Sequence, residues 1–94
     1  MNKYFNKYLV EFLGTMFLVF VIFTTSNWAE IGAALSIAIL LGGTISGGAF
    51  NPAVAISLYS AGKLAKSDLI PYIILEILGG LAAFYVYDKY VKKA

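Results

Sequence analysis

The 94-residue sequence has no cysteine, no histidine and no arginine, only two prolines, and little charge of either sign. Without cysteine there is no disulfide framework and no thiol chemistry, and without histidine the commonest metal ligand and the neutral-pH proton shuttle are both missing. No nucleophile stands with a base, so no catalytic residue is assigned and no enzyme is expected; nor is a metal, a cofactor or a nucleic-acid partner. Charged residues form 13% of the chain and hydrophobic ones 61%, whereas ordinary soluble domains carry about 25% charge. That balance excludes a soluble globule. The expected setting is membrane lipid, with the chain an integral, multi-pass protein of a cell membrane. The start MNKYFNKY is basic, but the apolar segment behind it is too long for a signal core and lacks a small-residue cleavage site, so the first span is expected to stay.

What the chain has instead is apolar length, broken once. The first span is expected over about residues 5–25, apolar except for Glu11, Gly14 and two terminal threonines, and Ser26 to Glu30 is a tight polar connection. The second, about Ile31 to Ile45, carries small residues at every fourth position, Ala34, Ala38 and Gly42, with Gly32 and Ser36 repeating the spacing. Such a stripe lets helix backbones approach closely. A basic loop, Ala61 to Lys66, leads to a third span over about residues 68–88, which Ser67 or Asp68 can cap and whose first turn tolerates Pro71. Tyr4, Tyr8 and Trp28 suit the membrane interfaces, and Tyr59, Tyr72, Tyr85, Tyr87 and Tyr90 read as anchors and packing. The tail Asp88 to Ala94 reads as a solvated helix end that snorkels to headgroups.

The break is Ile45 to Ser57, ISGGAFNPAVAIS, where polar groups and helix breakers concentrate. Asn51 followed by Pro52 marks a helix start, because asparagine caps free backbone N–H groups and proline is preorganised at the first helical position. The helix that follows, through Ala53 to Ser60, reaches only about 14 Å at 1.5 Å per residue, half of a hydrocarbon core about 30 Å thick. A half-helix starting near the midplane places unpaired N–H donors and a positive partial charge where water is scarce. The incoming strand, Ser46 to Phe50 with Gly47, Gly48 and Ala49 between, is irregular backbone of a kind tolerated at that depth only when it is buried in protein or lines a wet cavity. Both features point to a pore. The Asn51 amide oxygen can take a backbone N–H and leave its NH₂ group for the oxygen of a passing solute. Glu11 is a carboxylate inside a span, a costly placement that needs a partner, and the N–H groups of Ser46 to Phe50 suit an acceptor-only side chain.

SGG-x-FNPAV, together with EFLGT in the first span and YIILEILGG in the last, resembles the aquaporin and glycerol-facilitator family over essentially the whole chain, yet only one half of its duplicated architecture. The resemblance implies an all-α membrane protein with three transmembrane helices and one re-entrant half-helix. It implies a passive channel for water or small uncharged solutes such as glycerol, in which the Asn51, Pro52, Ala53 motif sits at the pore centre. It further implies that Glu11 supports the loop, as the glutamate of the family's EF-x-G pattern does. Glu76 stands where the family usually carries glutamine; it either donates as a protonated acid or accepts from the loop. Duplicated members place an arginine after the second such motif and often a histidine just before it; here the corresponding residues are Val54 and Ala49. With Ile31 near the aromatic position of the second span, the constriction is expected to be apolar, with cation exclusion left to helix dipoles and desolvation.

Three full crossings and one re-entrant segment put the termini on opposite sides of the membrane. Lys3, Lys7, Lys63 and Lys66 then oppose Lys89, Lys92 and Lys93, so the positive-inside bias barely chooses an orientation. The chain is expected to insert both ways and to pair antiparallel, the arrangement that inverted repeats achieve within one chain. The small-residue stripe of the second span is expected to receive the second copy, and the resemblance extends the assembly to a tetramer of such dimers. The competing reading is a non-conducting half-unit, or a truncated remnant, that pairs with another membrane protein.

Overall fold

The computed structural model of the protein describes residues 2–92; Met1, Lys93 and Ala94 lie outside, and with them part of the lysine and tail expectations. The described chain runs α1 (Lys3–Thr24), α2 (Trp28–Ser46), α3 (Pro52–Ser60) and α4 (Lys66–Val86), closed by a π-helical turn at Tyr87–Val91. Three of these segments, Lys3–Thr24, Trp28–Ser46 and Lys66–Val91, are long and apolar enough to cross a membrane. The longest extent of the fold is 43 Å, about that of a bilayer with its headgroups. Trp28, Leu40 and Leu41 are exposed at 86%, 77% and 71%, a surface that suits lipid.

Local chemistry sets the helix ends. Asn2 caps α1 by accepting from the Tyr4 N–H at 2.7 Å, and Asn27 caps α2 by accepting from Ala29 and Glu30 at 2.8 and 3.1 Å. The Asn27 cap starts the second helix at Trp28, earlier than the expected Ile31. Gly47, left-handed at φ 91°, ends that helix, so Ser46 belongs to α2 and only Gly47 to Phe50 form the irregular stretch, with no strand among the described residues. The third long helix also departs from expectation. Its N-cap is Ala65, without a side-chain hydrogen bond, so neither Ser67 nor Asp68 caps it. Asp68 instead turns inward to accept from Lys7 at 2.6 Å and from the Tyr8 hydroxyl at 2.9 Å. A buried carboxylate gains more from a cation and a hydroxyl than from capping an exposed turn. Pro71 falls in the second turn of α4, where its missing N–H leaves the carbonyl of the exposed Ser67 to other partners.

The Lys7–Asp68 pair ties the start of α1 to the start of α4, while Phe23 stacks on Tyr87 with ring centroids 5.3 Å apart at the other end. The two helices are therefore parallel, and α2 runs back between them in sequence. This arrangement puts Lys3 and Lys7 at one end and Lys89 and Lys92 at the other. α1 packs against both α2 and α4, and α3 lies on α4 alone. At Gly79 a Cβ would come within 2.5 Å of the Phe12 carbonyl oxygen, so this glycine permits the backbone approach of α1 and α4. The small-residue stripe of α2 is used inside the chain. Ala34, Ala38, Gly42 and Ser46 are its buried residues, and a Cβ at Gly42 would meet Val10 of α1 at 2.5 Å. The stripe is therefore not free to receive a second copy; only Gly32 and Ser36 of the expected set stay exposed.

Candidate functional site

The irregular stretch is fixed from one side only. Gly47 and Gly48 have φ of 91° and 68°, and Phe50 has φ 53°, a left-handed conformation that a bulky side chain adopts only when its surroundings impose it. Two contacts impose it. The Phe50 N–H donates to Glu11 Oε1 at 2.9 Å, and its ring lies over Gly14, where a Cβ would come within 2.2 Å of a ring carbon. A glycine at 14 thus makes room for the Phe50 ring, which is 2% exposed. Sequence reasoning noted Gly14 as an interruption of the apolar run but gave it no role, because its partner is distant in sequence.

Glu11 is fully buried and accepts two hydrogen bonds, from the Phe50 N–H and from the Ser46 hydroxyl at 2.6 Å. The Ser46 hydroxyl oxygen in turn accepts from the Gly48 N–H at 3.1 Å. Of the loop N–H groups expected to reach Glu11, one does so directly and one through the serine. The loop has a third support that sequence reasoning missed, the Tyr72 hydroxyl, which donates to the Ser46 carbonyl at 2.5 Å. Tyr72 is 1% exposed and meets Tyr8 edge-on, with ring centroids 6.1 Å apart. Tyr8 bonds Asp68, and Asp68 pairs with Lys7. A polar seam thus runs from the end of the bundle inward to the loop. Read from sequence, Tyr72 was packing; the signal for more was its place one turn before Glu76.

Glu76, 1% exposed, lies on the same buried face of α4. Neither of its carboxyl oxygens has a hydrogen-bond partner among the described residues. Thr15, one turn beyond Glu11, also has its hydroxyl buried without a partner among the described residues.

The rest of the stretch keeps unpaired groups. Asn51 is exposed, and its Oδ1 accepts from the Ala53 N–H at 2.8 Å, which leaves its NH₂ group free among the described residues. The carbonyls of Gly47, Gly48, Ala49 and Phe50 likewise accept no hydrogen bond there, although Ala49 and Phe50 are buried residues. Pro52 opens α3 with Asn51 as its cap. Along α3 a groove of about 400 Å³ is lined by Ala53, Val54, Ser57, Leu58, Ala61 and Lys63. Val54 is 41% exposed on it, while Ile31 sits at the start of α2, which does not touch α3. One chain therefore keeps Val54 and Ile31 apart.

The family described as Major intrinsic protein matches residues 1–94. Among curated proteins, the chain is 40% identical to Aquaporin Z of Brucella melitensis biotype 1, across 83% of this chain and 41% of that protein. It is 38% identical to Glycerol uptake facilitator protein-like 6 of Lactiplantibacillus plantarum, across 92% of this chain and 44% of that protein. It is 31% identical to Aquaporin AqpM of Methanothermobacter thermautotrophicus, across 87% and 46%. The chain thus spans less than half the length of each of these relatives. No solved structure matches it.

Proposed function

Because this chain belongs to the major intrinsic protein family, we propose that it is one half of a passive pore for water and small uncharged solutes such as glycerol, completed by a second copy inserted upside down. The family is one of integral membrane channels and not of enzymes. The observation that carries the proposal is the unpaired part of the loop: the carbonyls from Gly47 to Phe50 and the Asn51 NH₂ group have no hydrogen-bond partner among the described residues, while Glu11, Ser46 and Tyr72 hold the rest. Lipid cannot hydrogen-bond such backbone, so either protein or a file of water must meet it.

In the pair, two Asn51 amides and the N-termini of two α3 half-helices face each other at the midplane. The amides donate to the oxygen of the permeant, and the positive dipole ends disfavour cations. The carbonyls of residues 47–50 supply successive acceptors along the path; that of Ser46, expected among them, is instead taken by the Tyr72 hydroxyl. Pro52 and Ala53 fix the helix start, and Glu11 holds the loop in shape from behind. Val54 and Ile31 reach a common constriction only once the second copy is present. Lysines at both ends of the bundle leave the orientation nearly unbiased, which permits the inverted copy. Such pairs would assemble further as a tetramer of dimers.

Swelling of proteoliposomes that contain only this chain tests conduction, with Asn51→Asp as the control that keeps the helix cap and removes the NH₂ donors. Orientation is tested by adding three lysines after Ala94 so that every copy inserts one way. Swelling should be lost, and should return when a chain biased the other way is co-expressed. Full flux from a population shown to insert in a single orientation would overturn the inverted pair. A second reading, a non-conducting half-unit that pairs with another membrane protein, draws on α3, which packs on α4 alone. It would be favoured if both-way insertion and pairing occurred without any flux.

A further inference from the structure

Helices α1 and α2 enclose a groove that a pore leaves unused. Its inner part, about 410 Å³, is walled by Leu13, Phe17, Ile37 and Leu41 and closes at Val10 and the Phe50 ring. A second cavity of about 460 Å³ shares Phe17 and Ile37 with the first and continues past Ala33 to Thr24, Thr25 and Glu30. The two form one furrow, apolar within and polar at its mouth, with no lining residue in common with the groove along α3. We propose that this furrow holds one acyl chain of a phospholipid whose primary-ammonium headgroup, as in phosphatidylethanolamine, sits on Glu30.

The mouth accepts hydrogen bonds and has no side-chain donor to spare. The Thr24 hydroxyl donates to the Val21 carbonyl at 3.1 Å, and the Thr25 hydroxyl donates to Glu30 Oε1 at 2.5 Å while accepting from the Asn27 N–H. Asn27 in turn takes the Ala29 and Glu30 N–H groups. What remains is the second Glu30 oxygen, which has neither a hydrogen bond nor a cation among the described residues. Lys92, at the same end of the bundle, is 3.6 Å from Asp88, and Lys89 lies over the Tyr85 ring. Such a carboxylate recognises a cation that carries N–H groups and offers nothing to a phosphate oxygen. Depth agrees with this occupant. Glu30 follows closely on the exposed Trp28, a residue type that collects at membrane interfaces. From Glu30 to Gly42 the furrow follows α2 for about 18 Å at 1.5 Å per residue, and half of the hydrocarbon core is about 15 Å. One chain of one leaflet therefore fills it. A helix of a second copy would cross the whole core, about 30 Å, whereas the furrow stops where α1 and α2 close on each other. There a Cβ at Gly42 would stand 2.5 Å from Val10. The inner end of the acyl chain then rests beside the Phe50 ring, on which the loop depends.

The test uses the full chain in vesicles and no flux, so it can fail independently of the channel proposal. Trp28, the only tryptophan, is changed to phenylalanine, and a reporter is placed at the lip of the furrow by Leu41→Trp or on the exposed face of α4 by Leu78→Trp. In phosphatidylcholine vesicles, phosphatidylethanolamine with brominated chains should quench the reporter at 41 at a mole fraction about two- to fivefold lower than brominated phosphatidylcholine does, the preference that an exposed ion pair supplies. The reporter at 78 should not discriminate. Glu30→Gln, which keeps the acceptor that Thr25 uses and removes the charge, should equalise the two lipids at 41. So should Ala33→Phe, which fills the mouth from an exposed position and leaves the carboxylate in place. Equal quenching by the two lipids at 41, a preference that survives either substitution, or the same preference at 78 would each overturn the proposal. Shielding of the reporter at 41 from both lipids would also overturn it, because a second copy would then cover the furrow.

Discussion

The two sides of the Gly47 to Phe50 stretch differ in kind. On the side facing α1 and α4, the Phe50 and Gly48 N–H groups, the Ser46 hydroxyl and the Ser46 carbonyl all have partners, supplied by Glu11, Ser46 and Tyr72. On the far side, the carbonyls of residues 47–50 and the Asn51 NH₂ group have none within the described chain. The first side is a scaffold whose shape the chain determines alone; the second is a set of hydrogen-bonding groups held out for something else. The difference teaches that rigidity and availability are divided between opposite faces of one short segment. Substitutions behind the loop should act on stability, and substitutions in front of it on transport.

The largest effect should come from Gly14→Leu, which drives a side chain into the Phe50 ring where even a Cβ would stand at 2.2 Å. Overpacking typically costs about 1–3 kcal/mol, and here the neighbour is also held at a left-handed φ, so a loss at or above the upper end is expected in mixed-micelle unfolding. A variant as stable as the parent would show that the ring is not the constraint on the loop.

Next is Glu11→Ala, which leaves the Phe50 N–H and the Ser46 hydroxyl unpaired, at about 1–3 kcal/mol for each buried group. Membrane insertion should survive while pairing and flux weaken. Parent-like association of this variant, measured by crosslinking in bilayers, would remove the supporting role of Glu11.

Asn51 sharpens the contrast, because its two amide atoms belong to different sides. Asn51→Ala should cost about 1 kcal/mol through loss of the cap on Ala53, whereas Asn51→Asp should keep the cap and cost little stability. Both should reduce solute flux in swelling assays. Undiminished flux in Asn51→Asp would mean that the NH₂ group does not meet the permeant.

The smallest change in stability, within about 0.5 kcal/mol, is expected for Val54→Arg on the exposed face of α3. Its effect should appear in transport, with glycerol flux reduced more than water flux. Equal water and glycerol fluxes in parent and variant would take Val54 out of the path.

Much of this was legible in the residues. The three apolar runs, the Asn51–Pro52 helix start and the need of Glu11 for a donor follow from composition and local chemistry, which act over a few residues. Errors arose where a distant partner outbid a local rule. Asp68 was a plausible cap, but Lys7 and Tyr8, some sixty positions earlier, claim it instead. The α2 stripe signalled close packing correctly and its partner wrongly, since a run of small residues does not say which helix will approach it.

Sequence alone determined the membrane setting, the order of spans and the half-length of α3, because hydropathy, length and capping depend on residue type and spacing. Only the tertiary structure decided that Phe50 lies on Gly14, that Tyr72 reaches the Ser46 carbonyl, and that the Glu76 carboxyl is buried with no hydrogen-bond partner among the described residues. Such outcomes depend on which helices meet and how closely, as at Gly79, where the absence of a side chain lets the α1 and α4 backbones approach, and no local pattern of residues specifies that pairing.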